Sequence, residues 1–136
     1  SPNMLVEEYV AGRELTVAVL DDRAFPIVEI TPKQGLYDYK SKYTKGQSDY
    51  TCPAKLDSVL ARAIQDSARK AYDVVGARGL ARIDFMLGHD NRFFCLEVNT
   101  LPGMTNLSLA PMAASADGFS FESLVEAMIQ SAVKER

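Results

Sequence analysis

Apolar and polar residues alternate along the first third of the chain, which predicts short strands joined by tight turns. Three stretches read as strands and two as the turns between them: residues 5–10, 14–20 and 24–31, and residues 11–13 and 21–23. In the second strand Leu15, Val17 and Val19 project to a common face, because side chains alternate along a strand. Pro26 in the third strand favours an edge position or a bulge. We therefore expect an antiparallel meander.

The alternation is lost between residues 32 and 53, where the sequence holds four tyrosines and four lysines. A segment of this length without periodicity in a compact domain is usually functional or mobile. The alternative is a solvated loop that aromatic side chains anchor. The sequence leaves both interpretations open.

Helical spacing appears in three later segments. Apolar residues recur every three or four positions over residues 57–75, which predicts a long helix that ends at Gly76. A short helix is expected to begin at Ser108, and Ser120 is suited to cap a last helix that has an apolar face. The apolar stripe of the long helix is expected to lie in the core.

Four polar side chains lie inside two otherwise apolar strands, predicted over residues 79–86 and 94–99: Arg82, Asp84, Glu97 and Asn99. In each strand the polar pair is spaced two residues apart, so both members project to one face. Polar groups in strand interiors cost folding free energy unless something binds them. The pattern therefore indicates a site.

The register of this strand pair decides whether the four side chains meet. If Asp84 lies opposite Glu97, the connection is residues 89–92 and all four share a face. A three-residue connection would place Asp84 opposite Leu96 and divide the set, unless a bulge restores it. We predict the register that keeps Asp84, Glu97 and Asn99 together.

The chemistry of the set points to a hard cation. Two carboxylates and an amide oxygen suit Mg²⁺ or Mn²⁺, and Arg82 adds a fixed positive charge beside them. The alternative is a half-solvated strand face with ordinary surface ions. Because Asn and Asp are poor strand residues and their neighbours are strongly apolar, we favour a metal–nucleotide site.

Composition narrows the function classes. The chain has 136 residues, 47% of them hydrophobic, which suits one domain with a single core. With a net charge of −3 and no Lys/Arg run, nucleic acid is not an expected partner, and no apolar run is long enough for a membrane span. The single histidine, His89, leaves almost no material for a zinc site or a Ser-His-Asp triad.

The cysteines indicate a reducing compartment, and the first residues indicate that the sequence begins inside a longer protein. Cys52 and Cys95 lack CxxC spacing and are expected to be free thiols in a reducing cytoplasm. The chain begins with Ser1, enters strand-like sequence abruptly and shows no signal peptide. We expect it to be a fragment of a longer protein.

Residues 82–84 and 97–105 resemble the C-terminal metal-binding signature of ATP-grasp ligases, and they are most similar to the D-alanine–D-alanine ligase family. Three further segments agree in order and spacing: residues 5–14, 37–43 and 108–112. The resemblance implies an α+β fold, the ATP-grasp C-terminal domain with a mainly antiparallel sheet and packed helices over residues 1–136. The N-terminal and central domains of the family, with their glycine-rich phosphate loop, are expected to be absent.

The resemblance also implies a metal cage and a nucleotide site. Asp84, Glu97 and Asn99 would hold two Mg²⁺ (or Mn²⁺) ions, with Glu97 bridging them. ATP would be the co-substrate, bound by a set of six residues: Glu7, Tyr9, Val10, Glu14, Lys42 and Met86.

Each nucleotide contact has an implied role. The carboxylates of Glu7 and Glu14 would accept hydrogen bonds from the adenine amino group and the ribose hydroxyls, since an ionised carboxylate is an acceptor only. The backbone of residues 9–10 would read the adenine edge. Lys42 would contact the transferring phosphate, with a solvated loop lysine as the alternative. Met86 either packs on the adenine or fills the core.

Four residues would assist the chemistry: Arg82, Gly103, Lys42 and Tyr43. The guanidinium of Arg82 and the backbone N–H of Gly103 would stabilise the oxyanion that forms when an amine attacks an acyl phosphate. Tyr43 would close the tyrosine-rich loop over the site. The second substrate would be held by Ser108, Leu109 and Gly103, with Ser108 at a helix N-terminus. A plain N-cap serine is a compatible alternative.

The implied reaction joins two D-alanines to D-alanyl-D-alanine for peptidoglycan synthesis, through an acyl phosphate made from ATP. Other acceptors remain open, as in a D-alanine–D-lactate ligase, which Lys42 and Tyr43 disfavour, or another ATP-grasp carboxylate–amine ligase. A non-catalytic nucleotide-binding module with the same fold is the alternative outside this class. The chain is expected to be inactive alone, and the full-length protein to be a cytoplasmic homodimer.

Overall fold

The structure is a computed structural model that describes residues 3–33 and 48–134. Over these ranges it has six strands: β1 Gly12–Leu20, β2 Arg23–Ala24, β3 Val28–Pro32, β4 Ser48–Thr51, β5 Leu80–Gly88 and β6 Phe93–Asn99. It has three helices over the same ranges: α1 Ser58–Val74, α2 Leu109–Ala116 and α3 Phe121–Val133. No helix in this part of the chain is long and apolar enough to cross a membrane.

The strands form one antiparallel sheet in the order β4-β3-β1-β5-β6, with the short β2 paired to the end of β1. In the central pair, the register of β1 and β5 runs unbroken from Gly12 opposite Gly88 to Leu20 opposite Leu80. Gly12 permits this close approach, because a Cβ there would lie 2.0 Å from the carbonyl oxygen of Leu87. The predicted antiparallel arrangement is confirmed.

One face of the sheet packs against α1. Leu15, Val17 and Val19 project to this face, as their spacing predicts, and all three are fully buried. Ile83 and Phe85 extend the same apolar surface along β5. The buried stripe of α1 that meets them consists of Ile64, Ala68 and Tyr72. Burial of this apolar area is the main stabilising contribution to the fold.

The opposite face packs against α2 and α3 at one end, where β1 finishes and β5 begins. The buried residues of this second cluster come from the sheet, the β2–β3 connection and both helices: Ala18, Leu20, Phe25, Val28, Leu80, Ala110, Ala113, Ala114 and Leu124. The other end of this face carries the polar residues of the predicted site. One end of this sheet face is therefore apolar and covered by helices, and the other end carries polar side chains.

The predicted helix boundaries are confirmed. Asp57 caps α1, its carboxylate accepting the backbone N–H groups of Val59 and Leu60. Gly76 follows α1 at φ 65°, the left-handed conformation that glycine adopts without steric cost. Ser120 caps α3 through the N–H of Ser123.

The first predicted strand, over residues 5–10, is wrong. The structure has neither strand nor helix over residues 3–11, and Leu5, Val6 and Tyr9 are 83%, 81% and 75% exposed. A strand forms only where a neighbour completes its backbone hydrogen bonds, and a short apolar pattern cannot show whether that neighbour exists. The turn predicted at residues 11–13 is also wrong, because Gly12 already opens β1.

The third predicted strand is interrupted where Pro26 stands. Thr16 pairs with Val28, and Val19 pairs with Ala24. Residues 25–27 therefore lie opposite only two residues of β1, residues 17–18. This is the bulge that Pro26 predicts, since proline has no N–H to donate to the ladder. Residues 24–31 are therefore divided between β2 and β3 instead of forming one strand.

Candidate metal and nucleotide site

The β5–β6 hairpin decides which side chains share a face. The N–H of Gly88 donates to the carbonyl of Arg92 over 2.8 Å, and Asn91 between them has φ 61°. Asparagine tolerates this left-handed conformation, which is typical of three-residue hairpin loops. The hairpin is thus closed by Gly88 and Arg92 around a three-residue loop, residues 89–91, and Phe93 lies opposite Leu87. The predicted four-residue loop over residues 89–92 is therefore one residue too long, although the two strands end at Gly88 and begin at Phe93 as it requires.

A bulge nevertheless produces the predicted register. Phe85 lies opposite Cys95 whereas Asp84 lies opposite Glu97, so Leu96 is the extra residue on β6. The four polar side chains form two adjacent cross-strand pairs on one face: Asp84 with Glu97, and Arg82 with Asn99. The set that the sequence singles out is therefore brought together.

Asp84 is the most deeply buried member of this group, with 4% of its surface exposed. Its Oδ1 accepts the hydroxyl of Thr16 over 2.6 Å and Nε of Arg82 over 3.0 Å. Its Oδ2 accepts Nη2 of Arg82 over 3.0 Å. Since a carboxylate offers roughly four acceptor positions, one on Oδ2 is left by these three bonds. The charge of a buried carboxylate is compensated here by a bidentate guanidinium.

Glu97 and Asn99 lie at the more exposed side of the same face. Glu97 is exposed, and Asn99 is half-buried. The side-chain oxygen of Asn99 accepts the backbone N–H of Leu101 over 3.1 Å, which forms a local Asx turn at the end of β6. This bond fixes the amide, and a carbonyl oxygen has a second lone pair for another partner.

The donor set fits a hard divalent cation that arrives with a nucleotide. In the described part of the chain, no group of three or more His, Cys, Asp or Glu side chains could hold a metal ion. The candidate cage therefore depends on the amide of Asn99 beside two carboxylates. Mg²⁺ is commonly bound through one or two carboxylates, with phosphate oxygens and water completing its octahedron. The chemistry of the set matches this pattern better than the His and Cys ligands that zinc prefers.

Cys95 does not add a soft ligand to this set. Both cysteines of the sequence are free, and Cys95 is exposed on β6. Desolvation by burial of the sulfur, and secondly the charge of Asp84, raise the pKa of the Cys95 thiol. Cys95 lies opposite Phe85, whose side chain projects to the α1 face, so Cys95 is not in line with the Asp84–Glu97 pair.

Next to the polar pairs, the side chains aligned across four neighbouring strands form a row that is apolar except for one carboxylate. Glu14 of β1 lies between Ile30 of β3 and Met86 of β5, and Met86 lies opposite Phe94 of β6. Glu14 is 7% exposed and Met86 is 5% exposed. Met86 and Asp84 are two residues apart on one strand, so their rows are separated by about 7 Å. The predicted ribose carboxylate, adenine-packing residue and metal ligands thus share one surface.

The loop after β6 folds back onto the start of α2. Ser108 stands at the N-cap position, but its hydroxyl makes no capping bond; it accepts the N–H of Thr105 over 3.0 Å and contacts the Thr105 hydroxyl at 2.9 Å. A Cβ on Gly103 would lie 3.0 Å from Oγ of Ser108. Leu109 is the first residue of α2. The structure therefore brings the predicted second-substrate residues together.

The outcome differs for two further groups of predicted residues. Lys42 and Tyr43 lie outside the described residues, so their roles stay predictions. Glu7 and Tyr9 are exposed and Val10 is half-buried in the segment before β1. Because this segment is not a strand, the structure gives no ladder position that would place their adenine contacts.

Thr16 is the residue of this surface that the sequence reading missed. It is 1% exposed, lies opposite Asp84 and donates to that carboxylate. A signal was present: with Leu15, Val17 and Val19 on the apolar face, alternation places Thr16 beside Glu14 on the other face. Because threonine is a common strand residue, its position alone does not indicate a functional role.

Comparison with known proteins identifies the family. A sequence profile described as D-ala D-ala ligase C-terminus matches residues 1–130. The chain belongs to the D-Ala–D-Ala ligase C-terminal family. A D-alanine–D-alanine ligase of Syntrophotalea carbinolica is 52% identical over 129 residues, which cover 95% of this chain and 42% of that protein. Many other relatives match as well.

Solved structures give the same family and its fold. A D-alanine–D-alanine ligase from Bacillus anthracis, complexed with ATP, matches with a TM-score of 0.78 and 27% identity, covering 93% of this chain and 40% of that chain. The VanG D-Ala:D-Ser ligase from Enterococcus faecalis matches with a TM-score of 0.77 and 30% identity, covering 93% of this chain and 38% of that chain. The antiparallel sheet with packed helices is thus the ATP-grasp C-terminal fold of the D-Ala–D-Ala ligase family. The chain spans about two fifths of the length of the curated relatives it matches.

Proposed function

We propose that this chain is the C-terminal domain, over residues 1–136, of an ATP-dependent ligase that joins two D-alanines. The N-terminal and central domains of the complete protein would supply the first D-alanine pocket and the phosphate loop. The observation that carries the proposal is the juxtaposition of Asp84, Glu97 and Asn99 with Glu14 on one sheet face. The family membership supports the same reaction class.

Asp84, Glu97 and Asn99 would hold Mg²⁺, or Mn²⁺ in its place, with Glu97 bridging two ions. Mg²⁺ in such a site neutralises phosphate charge and orients the transferring phosphoryl group. The carboxylate of Asp84 is held on the sheet face by its bonds to Thr16 and Arg82. Because Glu97 is exposed on the same face, it can reach a cation that a nucleotide brings.

ATP would lie along the neighbouring row. Glu14 would accept the ribose hydroxyls, and Met86 would present an apolar surface to the adenine. Glu7 and the backbone of residues 9–10 would bind the adenine edge, and Lys42 the transferring phosphate. The ATP complex of the Bacillus anthracis relative supports this assignment at the level of the family.

The chemistry would proceed in two steps. The carboxylate of the first D-alanine attacks the terminal phosphate of ATP, which releases ADP and leaves an acyl phosphate. The amino group of the second D-alanine then attacks the acyl carbon, and phosphate leaves. Arg82 and the N–H of Gly103 would stabilise the oxyanion of this second step, while Ser108 and Leu109 hold the second D-alanine and Tyr43 closes the site.

Arg82 donates two of the five N–H groups of its guanidinium to Asp84 in this structure. Its guanidinium binds the two oxygens of that carboxylate at 3.0 Å each. The proposal includes a shift of the Arg82 guanidinium from Asp84 to the oxyanion of the substrate. Because Arg82 is partly exposed, its guanidinium can reach a substrate on the sheet face.

Relatives that differ in their second substrate share this fold. The VanG D-Ala:D-Ser ligase and a D-alanine–D-alanine ligase from Bacillus anthracis both match at 30% identity. The Syntrophotalea carbinolica relative, at 52% identity, favours D-alanine. The dipeptide would serve peptidoglycan synthesis in the cytoplasm, and the complete protein would be a homodimer.

Phosphate release by the full-length protein, assayed with D-alanine, L-alanine, D-serine and D-lactate, tests the proposal. We expect turnover with D-alanine alone or in strong preference. Preference for D-serine or D-lactate would instead assign that compound as the second substrate. Binding of Mg²⁺·ATP without turnover would instead indicate a non-catalytic nucleotide-binding module. The isolated 136-residue chain is expected to form no dipeptide.

A further inference from the structure

The hydroxyl of Thr16 stands out because it is buried and directed at a proposed metal ligand from a different strand. Thr16 is 1% exposed and lies opposite Asp84 in the β1–β5 register. Its Oγ1 is 2.6 Å from Oδ1 of Asp84 and 3.3 Å from the carbonyl oxygen of Ile83. A threonine hydroxyl has one hydrogen, and the shorter contact to a charged acceptor takes it.

The remaining bonds of Asp84 come from its own strand. Arg82 supplies both of them, from two residues before Asp84 on β5. In the proposed reaction Arg82 leaves Asp84 to stabilise an oxyanion. Thr16 is then the donor that still holds Oδ1, while the acceptor positions vacated by Arg82 become available to a cation.

We propose that Thr16 is a positioning residue for the metal site: its hydroxyl holds the carboxylate of Asp84 in one orientation before and after Arg82 exchanges partners. The inference rests on the proposed function, because it assigns to Asp84 the role of a Mg²⁺ ligand. Hydrogen-bond partners of metal ligands typically change metal affinity or activity by 10- to 100-fold when they are removed.

A purely structural role for this hydroxyl is less consistent with the surroundings. The backbones of β1 and β5 pair over nine successive positions, so one side-chain bond adds little to the connection of these strands. Asp84 also keeps its guanidinium partner when the Thr16 hydroxyl is removed. The effect of removing the hydroxyl should therefore appear in metal binding more than in folding.

The test uses the full-length protein with Thr16→Val, which replaces the hydroxyl by a methyl group of similar size, and Thr16→Ser, which keeps the hydroxyl. Thr16→Ala removes the hydroxyl without adding a methyl group, in case valine does not fit. Thr31→Val, at an exposed position of β3, is the matched control. Mn²⁺ affinity in the presence of ADP is measured by electron paramagnetic resonance, together with KM for Mg²⁺·ATP, kcat and the melting temperature.

We expect Thr16→Val and Thr16→Ala to weaken Mn²⁺ binding about 10-fold or more, with Thr16→Ser and Thr31→Val within about threefold of the parent protein. Unchanged Mn²⁺ affinity in folded Thr16→Val and Thr16→Ala would overturn the inference. An Asp84→Asn variant separates this from the proposed function. If Asp84→Asn impairs Mn²⁺ binding but the Thr16 variants do not, only the Thr16 inference fails; if Asp84→Asn binds Mn²⁺ normally, the metal role of Asp84 fails with it.

Discussion

Two arginine–carboxylate pairs of similar geometry lie on opposite faces of the same sheet, and they have different surroundings. Arg13 binds both oxygens of Glu29 at 2.8 and 2.6 Å and the carbonyl of Lys55 at 3.0 Å, so it joins β1, β3 and the segment before α1. Arg82 binds both oxygens of Asp84 at 3.0 Å, but the two residues stand on one strand.

The difference is the reason why we assign one pair to the fold and the other to the proposed site. The Arg13–Glu29 pair connects separate elements at the rim of the face that α1 covers. The Arg82–Asp84 pair lies within one strand, and the carboxylate of Asp84 is among the most buried of the described residues. Burying a charge costs stability unless its bonds compensate, and we expect such a cost where a ligand uses that charge.

The largest expected effect is on stability and comes from removing a side chain from the apolar sheet face that packs against α1. Phe85→Ala removes a fully buried ring of β5 from the core that α1 covers and should lower the free energy of unfolding by about 3–5 kcal/mol. Urea denaturation checks this. Leu96→Ala is the control, because Leu96 is the half-exposed bulge residue and should cost less than about 0.5 kcal/mol. Equal losses for the two variants would contradict the assignment of the core.

The polar face should respond in activity and not in stability. Glu97→Gln removes an exposed carboxylate of the proposed metal cage, and kcat/KM of the full-length ligase should fall on the order of 10²–10³-fold with the melting temperature unchanged. Glu29→Gln removes a carboxylate of the opposite face and should leave kcat/KM within about threefold. If both variants were equally active, the comparison of the two faces would be wrong.

Gly103→Ala should give a smaller and more selective change. The added Cβ would lie 3.0 Å from Oγ of Ser108, so the loop must shift by a few tenths of an ångström. Small misplacements of substrate-positioning groups cost up to about 100-fold, and we expect KM for the second D-alanine to rise about 10-fold. Steady-state kinetics check this. A rise in KM for Mg²⁺·ATP instead would move Gly103 from the second-substrate site to the nucleotide site.

The smallest effect concerns pH and the Arg13–Glu29 pair. The hydrogen bond from Arg13 lowers the pKa of Glu29 below its ordinary value of 4.5. A folded-state pKa below the unfolded value gives stability that is present above pH 4.5 and is lost as the pH falls through the folded pKa. Glu29→Gln should therefore cost about 0.5–1 kcal/mol at pH 7 and progressively less below pH 4.5. Thermal unfolding across this range measures it, and a cost that grows on acidification would have the wrong sign.

The parts of the fold that follow from periodicity could be predicted from the sequence. The spacing of Leu15, Val17 and Val19 gives the buried face of β1, and Asp57, Gly76 and Ser120 mark helix ends because capping is a local interaction. The stretch over residues 5–10 has similar composition but is not part of a strand in the structure. Strand formation depends on that distant partner, which a local pattern does not contain.

The site shows the same division between local and non-local information. The spacing of Asp84, Glu97 and Asn99 predicts their common face, although the hairpin reaches that register through an Asn91 turn and a bulge at Leu96. The role of Thr16 could not be predicted in this way, because the bond to Asp84 spans two strands separated by 68 residues. Non-local hydrogen bonds require the register of β1 against β5, which the sequence did not provide.

The central claim is that Asp84, Glu97 and Asn99 form the metal cage of this ligase domain. Anomalous diffraction from crystals of the full-length protein with ADP and Mn²⁺ tests it most directly. We expect manganese peaks within about 2.0–2.3 Å of oxygens from all three side chains, with Arg82 displaced from Asp84. Manganese bound elsewhere, with Arg82 still on both oxygens of Asp84, would contradict it.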